Sequence, residues 1–241
     1  MPTNVLERGL RRLSFTKTID ITKKLDYMVL RWFSSITDLA KAILTDEDLK
    51  NLDENIINLW RKRFESRKSH VLLGRRFDIS APGMHLISFY SAIPTIGAAS
   101  SFWCIKGLNG DYAKLMVLWF NSTLNILQVL NSRTEHRGAY MQIDDYTLEE
   151  MLVPNLKNFS DLEKQELLDV FEKVKRVEFP CILEQLKTRF WARVLMDRAW
   201  LKILGYKGDY DQLLNKLYNS LANEIETLKK LMAEGAREES I

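Results

Sequence analysis

The sequence predicts an α+β protein: a helical N-terminal hairpin, a small mixed sheet with a crossing helix, and a C-terminal helical bundle. Three observations predict it. Between residues 25 and 60 the apolar positions recur at three- and four-residue spacing, the period of a helix face. From about His70 the texture changes to short β-branched and aromatic runs broken by Gly, Pro and Ser, as in strands. From Thr147 onward, helix-start signatures recur. The expected boundaries are a helical region at 1–69, an α/β region at 70–155 and a helical region at 156–241. With 46% apolar and 28% charged residues, the chain has the composition of a packed core rather than of disorder.

The opening segment, MPTNVLERGLRRLSF, lacks the apolar core of a signal peptide. In TKKLDYMVLRWFSSITDLAKAIL, residues Leu25, Met28, Val29, Trp32, Phe33, Ile36, Leu39 and Ile43 form one helical stripe. Thr45 opens a second helix with acids in its first turn, and Leu49, Leu52, Ile56, Leu59 and Trp60 continue the apolar face. Two such helices across a short joint predict a hairpin.

VLLG, FDIS, HLISFY and SFWCIK are the expected strands. Asp111 is the expected cap of the crossing helix, which runs through LWFNSTLNILQVLNS. Asn121, Asn125, Gln128 and Ser132 share one side of that helix, opposite Leu115, Trp119, Ile126, Leu127 and Leu130. It therefore reads as amphipathic and continuous, its polar stripe meeting either solvent or another polar surface. Gly138 suits a positive-φ turn. The strand AYMQI then alternates, with Ala139, Met141 and Ile143 inward and Tyr140 and Gln142 outward.

Thr147 with Glu150 and Ser160 with Glu163 match capping-box spacing, and Asp209 with Gln212 resembles it. The last helix carries a stripe of Leu221, Ile225, Leu228 and Leu231 or Met232 before a polar tail.

Several function classes are excluded by pattern. Glycine-rich phosphate loops, nucleophile elbows and paired-histidine metal motifs are missing. Cys104 and Cys181, with three scattered histidines, form no disulfide framework or zinc pattern, so a reducing cytoplasm is the expected compartment. The run from Leu115 to Leu130 is interrupted by amides and is too short for a membrane span of about 20 apolar residues. No Glu-x-Lys occurs, and Asp48-Leu49-Lys50 is the nearest approach to a nuclease pattern, on an expected surface helix.

A net charge of +3 does not announce a nucleic-acid binder, but the charge is uneven. Residues 61–76 hold Arg61, Lys62, Arg63, Arg67, Lys68, Arg75 and Arg76 against one Glu. Such a run can neutralise phosphates or complement a helix C-terminus. The turn and strand at 131–142 bring Arg133, His136, Arg137, Tyr140 and Gln142; of these Arg133, Arg137 and Gln142 have chemistry suited to base edges, as do many surface loops.

At this point the sequence resembles a known family. HLISFYSAIPTIGAASSFWCIKG, followed by KLMVLWFNSTLNILQVLNSRTEHRGAYMQIDDYTLEEMLVPNL, is similar to the C-terminal specificity region of restriction-modification DNA adenine methyltransferases. The resemblance rests on a helix carrying Trp119-Phe120-Asn121-Ser122 and a strand opening with Gly138-Ala139-Tyr140. It includes an exit at Leu152-Val153-Pro154, and a helix with Arg193 and Asp197 that ends in Leu204-Gly205. It spans roughly residues 70–235. The family's methyl-donor loop and its Asn/Asp-Pro-Pro-aromatic motif are missing from the sequence. The resemblance therefore implies a non-catalytic target-recognition portion that binds double-stranded DNA. It also implies a methyltransferase catalytic domain, in the same or another chain, that holds S-adenosylmethionine; no cofactor is expected in this chain. The rival expectation is a helical protein–protein interaction subunit without nucleic-acid binding, presenting Trp32, Trp60, Trp191 and Trp200. An unrecognised nuclease is a third.

Overall fold

A computed structural model describes residues 6–29, 62, 64–132 and 139–238 of the chain. The architecture is α+β, as expected. In chain order the strands are β1 (Leu6–Leu10), β2 (Asp26–Val29), β3 (Ser69–Gly74), β4 (Arg76–Asp78), β5 (Ser88–Gly97), β6 (Phe102–Ile105) and β7 (Tyr140–Gln142). The helices are α1 (Gly110–Asn121), α2 (Thr123–Asn131), α3 (Asp145–Glu150), α4 (Asp161–Val174), α5 (Ile182–Lys187), α6 (Trp191–Ile203) and α7 (Tyr210–Glu238).

Five strands form a mixed sheet in the order β2-β1-β5-β3-β6. β1 runs parallel to β5 and antiparallel to β2, while β3 is antiparallel to both β5 and β6. β4 and β7 form a separate antiparallel ribbon. α1 crosses the sheet over β3 and β5 and packs on α4, the first helix of the C-terminal bundle. One continuous apolar core runs from Leu10 in the sheet to Leu228 in α7. Trp200 lies at its centre with its ring 5.2 Å from Trp119, edge to face. Such a pair adds about 0.5–1.5 kcal/mol beyond the area it buries.

The N-terminal expectation is corrected at Asp26–Val29. Asp26–Val29, read as the start of a helical stripe, is a strand paired with Leu6–Gly9. Over so short a stretch, Leu25 and Val29 share a face under either period and Met28 alone favours the helix. The deciding partner is β5, more than sixty residues away, which gives β1 a parallel neighbour at Ile96 and Gly97. The rest of the expected hairpin, residues 30–61, lies outside the described residues.

Helix starts follow local chemistry with two corrections. Ser160 and Glu163 form the full capping box, and Asp209 accepts hydrogen bonds from the Asp211 and Gln212 amides. The cap of α3 is Asp144, which accepts from Thr147 N at 2.9 Å, so Thr147 is inside the first turn and caps nothing. α1 starts from Asn109, whose side chain makes no capping bond. Asp111 instead sits in the first turn and pairs with Lys114 at 2.9 Å.

The crossing helix is not continuous. Ser122 takes an extended conformation (φ −66°, ψ 154°), ends α1 and caps α2 by accepting from Asn125 N. The two segments meet at a bend of 60°. Neither they nor any other described helix is singly long and apolar enough to cross a membrane.

Candidate nucleic-acid interface and the buried polar joint

The amides at 121–128 are not a face offered to solvent or to a ligand. Asn121, Ser122, Thr123 and Asn125 are fully buried. Asn121 Oδ1 accepts from Ile87 N and Ser88 N, and its Nδ2 donates to Ser88 O and Val117 O. It thus ties the end of α1 to the start of β5. Asn125 donates to Phe120 O and accepts from Gln128. Gln128 meets the Leu152 backbone both ways, at 3.0 Å each, and fixes the exit after α3. Leu127, expected on the apolar side, is 43% exposed because the bend turns α2.

The bundle closes this joint with ionic groups. Arg193 and Asp197 on α6 are fully buried. Arg193 donates to Gln185 Oε1, Asn121 O and Thr123 Oγ1. Asp197 accepts from Thr123 N at 2.8 Å and from the Tyr218 hydroxyl at 2.6 Å. Thr123 therefore bridges the two charges. Burial pushes the Asp197 carboxyl up from its usual range, opposed by Arg193 and the two donors. Burial lowers Arg193 from its ordinary value, opposed by the Asp197 charge. Tyr218 is pushed up by burial and by the carboxylate beside it. Arg193 Nη2 is buried and has no hydrogen-bond partner among the described residues.

The second polar site faces outward. In the β4–β7 ribbon, Arg76 stands opposite Gln142, Phe77 opposite Met141, and Asp78 opposite Tyr140. Ala139, Met141 and Ile143 point into the core, as the alternation predicted, and Phe77 joins them from β4. Arg76, Tyr140 and Gln142 are exposed and have no side-chain hydrogen bond or ion pair to any described residue. With Met232 of α7 they line a shallow cavity of about 290 Å³.

The ribbon is firmly seated. Ile143 N donates to Arg75 O, and the Trp103 indole donates to Ile143 O, both at 2.8 Å. The Arg75 guanidinium lies 4.4 Å over the Trp103 ring. Ile79 N donates to Ala139 O, and Ala139 N lies 3.1 Å from Met232 Sδ.

The basic run at 61–76 does not make one surface. β3, with Val71–Gly74 buried, separates its two ends by about 17 Å at ordinary strand rise. At the far end, Lys62 and Arg67 are exposed. Lys68 pairs with Glu65 at 2.7 Å and with Glu7 at 2.9 Å. Burial lowers its affinity for a proton, but the two carboxylates outweigh that and hold the ammonium above its ordinary value. At the near end, Arg75 braces the ribbon and Arg76 joins its open face. Arg61, Arg63, Arg133, His136 and Arg137 lie outside the described residues. The structure thus brings together Arg76, Tyr140 and Gln142 from the expected set, with Arg75 beneath them.

Sequence reasoning missed Trp103, Asp78 and Met232. Asp78 was legible as a strand neighbour of Arg76. Trp103 and Met232 reach the ribbon from distant segments with no local signal. A separate open groove of about 940 Å³ runs beside β6, lined by Tyr112, Met116, Leu148, Met151 and Val153 among others. Of the tryptophans expected to dock a partner, Trp200 is core and Trp191 is 53% exposed; Trp32 and Trp60 lie outside the described residues.

No protein-family model matches the sequence, and no curated protein matches it. Among solved structures, the chain is similar in fold to part of the type IIG restriction endonuclease BpuSI. The TM-score is 0.65 at 13% identity, over 93% of this chain and 26% of that one. The chain therefore spans about a quarter of that enzyme's length. At this identity the likeness is one of fold.

Proposed function

We propose that this chain is the DNA target-recognition portion of a restriction-modification adenine methyltransferase, without catalysis of its own. The observation that carries the reading is the seated ribbon whose exposed face holds Arg76, Tyr140 and Gln142 without hydrogen-bond or ion-pair partners among the described residues. A two-stranded ribbon fits the major groove, where Arg and Gln have bidentate partners on base edges. The fold's likeness to part of a restriction endonuclease supports the same reading, because a quarter-length match leaves room for catalysis elsewhere. In this reading a catalytic domain, in this or another chain, binds S-adenosylmethionine and extrudes the base. Arg133, His136 and Arg137 are assigned to DNA contact by their side-chain chemistry alone, and Lys62 and Arg67 take phosphates. Arg61 and Arg63 are assigned to phosphate contact by charge alone, and Lys68 would have to leave Glu65 and Glu7 to join them.

Titration with duplex DNA at several salt concentrations tests this. Binding should weaken steeply as salt rises, since phosphate contacts release counterions. Salt-insensitive association with a protein, and none with duplex, would move the reading to a helical interaction subunit.

A further inference from the structure

We propose that Arg76 and Gln142 act as a base-reading pair, Arg76 taking a guanine and Gln142 an adenine on neighbouring base pairs; this rests on the DNA-recognition reading above. The basic run suggested that Arg76 anchors phosphates with Arg75. The ribbon changes its role. Arg76 and Gln142 are directly opposed across β4 and β7 and point outward together. Opposed side chains on a ribbon have Cβ atoms about 4.5–5.5 Å apart. Successive base pairs rise by about 3.4 Å, so two long side chains from one cross-strand pair reach adjacent pairs. Arg forks onto guanine O6 and N7, and Gln pairs with adenine N6 and N7.

The charge on the same face favours base edges over backbone. Asp78 lies two residues from Arg76, on the same side, opposite Tyr140. Its Oδ1 is held by Ser80 N and Oγ, which fixes the carboxylate in place. A fixed carboxylate beside Arg76 repels phosphate but can accept from a cytosine amino group. The face therefore mixes donors and acceptors, as a groove floor does, rather than presenting uniform positive charge. The strands are also short, about 10 Å each, within a groove about 12 Å wide. The bonds from Arg75, Trp103 and Met232 hold the pair on a rigid base, which precise readout needs.

The test is selection of bound sequences from a randomised duplex library by the full 241-residue chain and three variants, followed by affinity measurements. Wild type should enrich a guanine next to an adenine. Arg76→Ala should lose discrimination at the guanine alone, by about 5- to 150-fold. Gln142→Ala should do the same at the adenine. Arg76→Lys should narrow the guanine preference without abolishing it and keep the salt dependence, because Lys still donates to guanine O6 and N7 but without the planar fork. An unchanged guanine preference in Arg76→Ala, or uniform weakening on all duplexes in that variant, would overturn the assignment and leave DNA recognition standing. Failure of wild type to bind any duplex would overturn both.

Discussion

At the α1–α2 joint, Asn121, Asn125, Gln128, Arg193 and Tyr218 are turned inward and bonded to the protein. On the β4–β7 ribbon, Arg76, Gln142 and Tyr140 point outward and are bonded to no described residue. The side-chain types are nearly the same, and the difference is the reference state. A buried amide or guanidinium without a partner costs several kcal/mol, so the joint must satisfy its groups internally. On the ribbon the same kinds of group are exposed, where solvent can satisfy them without a protein partner, and they stay available to a ligand. Residue type therefore says little about function here, and saturation by protein partners says much.

The comparison breaks most visibly if the joint tolerates truncation. Arg193→Ala leaves Asp197 buried with its counter-charge gone and strips donors from Gln185, Asn121 and Thr123. Removing one member of a buried ionic network costs about 3–5 kcal/mol. The urea midpoint should fall accordingly, with the slope unchanged. Asn121→Ala should cost somewhat less, about 3 kcal/mol, by orphaning the Ile87 and Ser88 amides. A midpoint within error of wild type for either variant would mean that the joint is not the stabilising element described.

Much of the fold was legible because its signals are local. The inward set Ala139, Met141 and Ile143 follows from strand alternation, and the Ser160–Glu163 box from four residues of sequence. What failed depended on distant partners. Asp26–Val29 is a strand because of β1 and β5, and the amide stripe is internal because β5 and α6 cover it. A helical wheel gives angular position and says nothing of what lies opposite. The motif residues Asn121, Arg193 and Asp197 were identified in sequence, but as parts of a resemblance. Their task of locking the bundle to the sheet appears only in three dimensions. For the ribbon, Gln142 and Tyr140 are legible as outward residues, while the separate surroundings of Arg75, over Trp103, and Arg76, on the open face, appear only in three dimensions.

Asp144 stands between the two regions, just after the ribbon and at the cap of α3. The Thr147 amide holds its carboxyl below the usual range, and the Arg75 charge adds to this. A folded pKa below the unfolded value of about 3.9 gives stability that is complete above that pH. It is lost as the pH falls through the lower folded value. Asp144→Ala should therefore cost about 0.5–1 kcal/mol near neutrality, the low end for an N-cap because the group is solvent-screened. Wild type and variant should converge in acid, as thermal midpoints taken across the pH range would show. A pH-independent difference would assign the effect to packing instead.

The smallest expected stability change belongs to the ribbon and is the sharpest form of the contrast. Arg76→Ala and Gln142→Ala remove exposed side chains that hold nothing described in place. Surface changes of this kind stay within about 0.5 kcal/mol. Their urea midpoints should overlay wild type while their binding to duplex DNA changes. At the joint the order is reversed, because its groups act on the fold and reach DNA only through it. If Gln142→Ala lowered stability by as much as Asn121→Ala, the ribbon would be a second structural joint, and its open polar face would lose its meaning as a binding surface.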